Sequence, residues 1–121
     1  MISTKSTVEV KSIVWWGFPL EKYPWKSDWC DEYARRLGKQ CCDPDICKSP
    51  CLVNSYSGGG EIQHFVAARE SIQHQPENKP IQVPDSALLG WRKDLEDFCM
   101  LMDIKFHQPR WWATVMEFEQ A

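Results

Sequence analysis

No apolar run in this chain approaches the roughly 20 residues that a membrane span needs. The opening residues, MISTKSTVEVKSIVWW, lack the charged start, apolar middle and small-residue cleavage site of a secretory leader. Both absences point to the cytoplasm, where thiols stay reduced and clustered cysteines hold metal more often than they pair. Positive charge is in short supply as well. Fourteen Lys and Arg stand against 17 Asp and Glu, a net charge of −3, with no long run of either sign. That disfavours nucleic acid, because phosphate binding needs a concentrated basic footprint. Arg35, Arg36 and Lys39 make only a small local one. Internal repeats and low-complexity segments are missing too, and so is any catalytic motif, which turns the reading away from an enzyme without closing that class.

What the chain does have is thiols and indoles. Five of its six cysteines fall between Cys30 and Cys51, in the run WCDEYARRLGKQCCDPDICKSPC. Thiols spaced this closely act as metal ligands, disulfides or redox partners. Seven tryptophans are spread over 121 residues, two pairs of them adjacent: Trp15-Trp16 and Trp111-Trp112. Neighbours on a strand point to opposite faces, so only a sheet covered on both sides hides all four. The apolar share of 43% and charged share of 26% are those of a globular protein, and the length suits one domain over residues 1–121.

The pattern along the chain predicts an α+β fold, with a small mixed or antiparallel sheet and about three helices. Residues 7–18, TVEVKSIVWWGF, alternate and are rich in β-branched and aromatic residues, which predicts a strand ended by Gly17 and Pro19. Ser27 or Asp28 then caps a short helix whose apolar stripe is Trp29, Cys30, Tyr33, Ala34 and Leu37, with Gly38 as its stop. Residues 39–50 read as an irregular loop, and CLVNSY at Cys51–Tyr56 as a short strand. Ile62, Phe65, Val66, Arg69 and Ile72 fall on one helical face, which predicts a helix over 61–72. The proline-bearing stretch 73–84 reads as a crossing loop, with a short extended piece at Ile81 to Val83. Leu88, Trp91, Leu95, Phe98 or Cys99, and Met102 mark the longest helix, from about Ser86 to Asp103, with Gly90 suggesting a close approach to another element. RWWATVMEF at Arg110–Phe118 reads as a last strand.

A tetrahedral zinc site is the leading reading of the cysteine run, with Cys30, Cys42, Cys47 and Cys51 as ligands and His64 or His74 as substitutes. Cys42 is taken over Cys41 because adjacent residues seldom both reach one ion. The same thiolates suit an iron–sulfur cluster, and an even number of cysteines also suits disulfide or thiol-redox chemistry. Cys99, alone on an apolar stripe, reads as a small buried hydrophobe. Ser57, Gly58, Gly59 and Gly60 ahead of a helix offer backbone N–H groups to an anion, but they lack the lysine and Ser/Thr of a phosphate loop, and Glu61 sits where the anion would. Catalytic sets such as Cys51 with His64, or Ser57 with His64 and Glu70, can be written down but have no motif behind them. Trp16, Trp25 and Trp112 are candidates for an aromatic contact surface. The expected function is a small cytoplasmic interaction module, accessory or inhibitory, that binds a protein partner and whose cysteine loop is ordered by zinc. The alternatives are a small thiol- or metal-dependent enzyme and a small-molecule or anion binder using the SGGG loop.

Overall fold

The computed structural model describes residues 7–56, 61–75 and 82–120. Its centre is one long strand, β1 (Thr7–Leu20), which begins with the alternating β-branched and aromatic run. A strand this long needs partners on both edges to satisfy its backbone groups. Along one edge the final strand (Arg110–Gln120) pairs antiparallel from Thr7 to Gly17, setting Trp15 opposite Trp112 and Trp16 opposite Trp111. The other edge is filled by one interrupted strand. Its first half, β3 (Ile62–Ala67), pairs with Gly17 to Leu20, and its second half, β4 (Gln73–Gln75), pairs with Ser12 to Val14. The strand β2 (Cys51–Tyr56) pairs antiparallel with β3 and completes a five-stranded sheet, in which the last strand is β5.

Between β3 and β4, the five residues Ala68 to Ile72 stand opposite only Trp15 and Trp16. The surplus is taken up by a 3₁₀ turn at Arg69–Ser71. Ser71 repairs the ladder there: its hydroxyl accepts from the Trp16 N–H at 2.8 Å and donates to the Ala68 carbonyl at 2.6 Å, fully buried. A side chain thus replaces the missing backbone acceptor.

The helix expected over 61–72 is therefore a strand and a 3₁₀ turn, and the crossing loop expected over 73–84 opens with the short strand β4. Phe65 and Val66 are both buried but lie in different clusters, as neighbours on a strand must. A strand buried on both faces mimics helical spacing over so short a window. The second open edge of β1 decided the outcome. Gly17 and Pro19 also fail to end β1. Trp16 directs its N–H and carbonyl toward Ser71 and Ala68, so alternate residue Pro19 turns its missing N–H to the opposite edge. There the β5 ladder stops at Gly17, and no donor is needed.

The helical layer follows the sequence more closely. Helix α1 (Trp29–Leu37) is capped by Asp28, which accepts from the Cys30 N–H at 2.9 Å. It stops at Gly38, whose φ of 70° is the left-handed conformation that glycine adopts freely. The expected loop 39–50 contains a further helix, α2 (Pro44–Lys48), with Asp43 accepting from the Asp45 N–H and proline in its first turn. Helix α3 (Asp85–Met102) runs as predicted and ends at Asp103, in a left-handed conformation at φ 57°. Open space lies where a Gly90 Cβ would project, so that glycine marks no close approach.

The helices cover one face of the sheet. Trp16, Phe18, Leu20 and Val66 pack there with Tyr33, Ala34, Ile46, Leu95, Phe98 and Met102. On the other face Trp15, Phe65 and Ala67 form a smaller cluster, flanked by Ile13, Val53, Ile72 and Trp112. Trp16 and Trp15 are both buried, each on its own side.

Candidate functional site

The cysteine run is placed by α1 and its stop. After Gly38, the Lys39 N–H bonds back to the Ala34 carbonyl at 2.9 Å, and the chain reverses along the helix it has just left. Cys41 returns to the start of α1. Its sulfur is 2.8 Å from Asp31 Oδ1 and 4.0 Å from the Cys30 carbonyl oxygen. The Asp31 carboxylate, as acceptor and as neighbouring charge, pushes the Cys41 thiol up to about 11, and the Cys30 thiol adds to the push. Cys42 turns to Gln40 Oε1 at 3.8 Å, and Cys47 lies exposed on α2. Lys39 pairs with Asp45 across the turn and fixes α2 locally.

Four thiols do not meet here. Cys51 stands opposite Ala67, on the sheet face turned away from the helices that carry Cys30. It is buried, and that burial raises its pKa. Among the described residues no three His, Cys, Asp or Glu side chains are placed to hold one metal ion. The thiol that does approach Cys30 is Cys41, the one that adjacency had set aside. His64 is taken up by Asn54 Oδ1 at 2.7 Å and by the Tyr23 ring, while His74 is exposed on β4. Cys51 and His64 pair with Ala67 and Asn54, three positions apart along the β2–β3 hairpin, so they face opposite sides and make no dyad. Cys99 is the buried hydrophobe expected, its thiol pushed up to about 12 by burial and by Glu96. Ser57, Gly58, Gly59 and Gly60 lie outside the described residues.

The aromatic surface is also redistributed. Trp16 and Trp25 are each 8% exposed and belong to the main core, Trp16 against Trp91 and Trp25 against Tyr23. They are core because the helices roof the face they occupy. Trp112 is half-buried, its indole N–H donating to the Gly17 carbonyl at 3.0 Å under the Arg110 guanidinium. Of the three, it alone keeps a substantial surface.

Two of the hollows among the described residues are large enough to be candidates for a ligand. One, of about 450 Å³, is lined by Phe18, Pro19, Glu21, His107, Gln108 and Arg110, and its charges of both signs select no ligand class. The other, of about 350 Å³, lies between α1, α2 and α3. Its apolar wall is Tyr33, Leu37, Phe98 and Leu101, and its rim carries Asp94, Asp97, Lys48 and Asp45, the last already paired with Lys39. Desolvation, then Asp97 and Glu70, hold Asp94 above the usual carboxylate range, with Lys93 opposing. Burial raises the Tyr33 phenol; a hydrogen bond to Ser49 opposes this, and the charges of Asp94, Asp45 and Asp97 add to the rise. The cleft is therefore apolar at its base and negative at its mouth. Sequence reading followed only the apolar stripe of α3, and Asp94 and Asp97, on the polar side of it, were not seen as a site. Their one visible signal was a like-charge pair three residues apart, directly beside a core phenylalanine.

Among the described residues no helix is long and apolar enough to cross a membrane. Comparison of the chain with protein-family models, curated proteins and solved structures finds no match.

Proposed function

We propose that this chain is a protein-interaction module, accessory or inhibitory in role and cytoplasmic, that docks a basic side chain of a partner in the cleft between α1, α2 and α3. The observation that carries this reading is a cleft walled by Tyr33, Leu37, Phe98 and Leu101 whose mouth carries Asp94 and Asp97, while Asp45 is already paired with Lys39. An arginine suits both parts, since its guanidinium stacks on rings and bonds carboxylates through a planar fork. It would also relieve the repulsion from Asp97 and Glu70 that adds to desolvation in raising Asp94. Zinc or an iron–sulfur cluster on Cys30, Cys42, Cys47 and Cys51 does not fit the side chains as they stand, because Cys51 faces away from the others. The module reading needs neither.

The test is titration of the chain with a short arginine-rich peptide and with its glutamate-substituted counterpart, followed by calorimetry. Saturable binding of the basic peptide is expected, weakening as salt is added. The double variant Asp94→Asn/Asp97→Asn should lose about tenfold in affinity, since each solvent-exposed ion pair contributes at most about 1 kcal/mol and about 1.4 kcal/mol is tenfold. Exposed Glu21→Gln, outside the cleft, should change nothing. Equal binding of both peptides, or an affinity untouched by the double variant, overturns the reading.

A further inference from the structure

We propose that Cys30 and Cys41 are a redox pair that closes reversibly into a disulfide, stapling the start of α1 to the turn beyond its end. The placement is specific. Asp28 caps the helix so that Cys30 lies in its first turn, and Gly38 with the Lys39–Ala34 bond sends the chain back toward that turn. The Cys41 sulfur arrives 4.0 Å from the Cys30 carbonyl oxygen, although ten residues separate the two cysteines. Cys41 is exposed and Cys30 half-buried, so a reagent in solution reaches one, and the other is held beside it. The remaining thiols are differently placed. Cys42 faces Gln40, Cys47 lies exposed on α2, and Cys51 and Cys99 are buried. Asp31 now holds the Cys41 thiol as its hydrogen-bond acceptor, and bridging requires that sulfur to leave Asp31 for the sulfur of Cys30.

The oxidant is a low-molecular-weight disulfide such as oxidised glutathione. Once its sulfur leaves the Asp31 carboxylate that keeps it protonated, Cys41 loses its proton to solvent. Its thiolate attacks one sulfur of that disulfide, which breaks the S–S bond, forms a mixed disulfide and releases one thiolate. The Cys30 thiolate then attacks the Cys41 sulfur and displaces the second small thiolate. Two protein thiols have lost two protons and two electrons, and one small disulfide has become two thiols. Reduced glutathione in excess runs the sequence backward. No partner is needed to observe this, so its outcome is independent of the cleft reading.

The full chain is equilibrated in glutathione buffers of graded redox ratio, quenched with a maleimide, and analysed by intact mass and peptide mapping. A species lighter by two hydrogens, with two of the six thiols protected and the Cys30 and Cys41 peptides linked, is expected. Cys30→Ser and Cys41→Ser should each abolish it, whereas Cys42→Ser and Cys47→Ser should leave it intact. Circular dichroism of Cys41→Ser, an exposed site, shows whether loss of the bridge occurs in a folded chain. A stable glutathione adduct on Cys41 with Cys30 free, a bridge mapping to another pair, or no bridged species at any ratio overturns the proposal.

Discussion

The centre of the sheet and the cysteine-bearing turn are fixed in opposite ways. Around Trp15, Trp16 and Gly17 the chain is held by residues far away in sequence: β5 on one edge, β3 and β4 on the other, and Ser71 bridging the gap between them. From Asp28 to Ser49 many of the fixings are local. Asp28 and Asp43 cap their own helices, Glu32 pairs with Arg35 and Arg36, and Lys39 pairs with Asp45. Ile46 and the apolar stripe of α1 anchor the segment to the core, and Arg36 ties it to the Leu101 carbonyl at the end of α3. The difference teaches where change is tolerated. A turn held largely by its own caps and surface ion pairs can be rearranged by oxidation or by a partner while the sheet keeps its register. At the sheet centre both edges of β1 are already taken, by β5 on one side and by β3, β4 and Ser71 on the other.

Two glycines and a serine sharpen the contrast. The largest effect is expected at Gly17, where an added Cβ would fall 1.9 Å from the Val66 carbonyl oxygen, a backbone atom that cannot move aside. Gly17→Ala should cost about 3 kcal/mol or more, read from urea unfolding, because overpacking forces the β1 and β3 backbones apart. A loss below about 1 kcal/mol would mean that the two strands are less tightly apposed than described. Next is Ser71→Ala, which leaves the buried Trp16 N–H with no acceptor and should cost about 1–3 kcal/mol. The smallest effect is expected in the helical layer and carries the opposite sign. Gly90 has open space around it, so Gly90→Ala should raise stability by about 1 kcal/mol through helix propensity alone. A fall in the urea midpoint for that variant would show that α3 relies on glycine there after all.

The buried indole N–H of Trp15 has no hydrogen-bond partner among the described residues. Its ring packs edge-on against Phe65 at 5.0 Å, so the aromatic contact holds the side chain where the polar atom does not. On the other face Trp16 and Trp111 both meet Trp91 of α3, which couples the two adjacent tryptophan pairs to the helical layer through one ring.

Much of the fold was legible where the signal is local. Asp28 and Gly38 framed α1, the three-and-four stripe from Leu88 to Met102 located α3, alternation located β1, and the run RWWATVMEF located β5. The stretch 61–72 was misread because its burial comes from both faces of a sheet, which spacing alone cannot tell from one face of a helix. The five-residue helix α2 was missed because so short a segment has no period to read, although Asp43-Pro44 carried the start signal. Of the candidate site, the crowding of thiols was visible and their partners were not. Cys51 and Cys30 are separated by a sheet that no spacing rule reveals, and Cys41 reaches Asp31 only through the reversal after Gly38.

The sequence by itself determined the helix starts and stops, the long central strand and the concentration of cysteines, since each depends on residues within a turn or two of one another. The tertiary structure decided which edge of β1 each later strand would fill, which tryptophans would be core, which thiol would return to the first turn of α1, and that Asp45, Asp94 and Asp97 would line one cleft. Those outcomes depend on residues brought together across the whole chain. Alternation and helical spacing say which face a side chain takes, and only the packed layers say what lies opposite it.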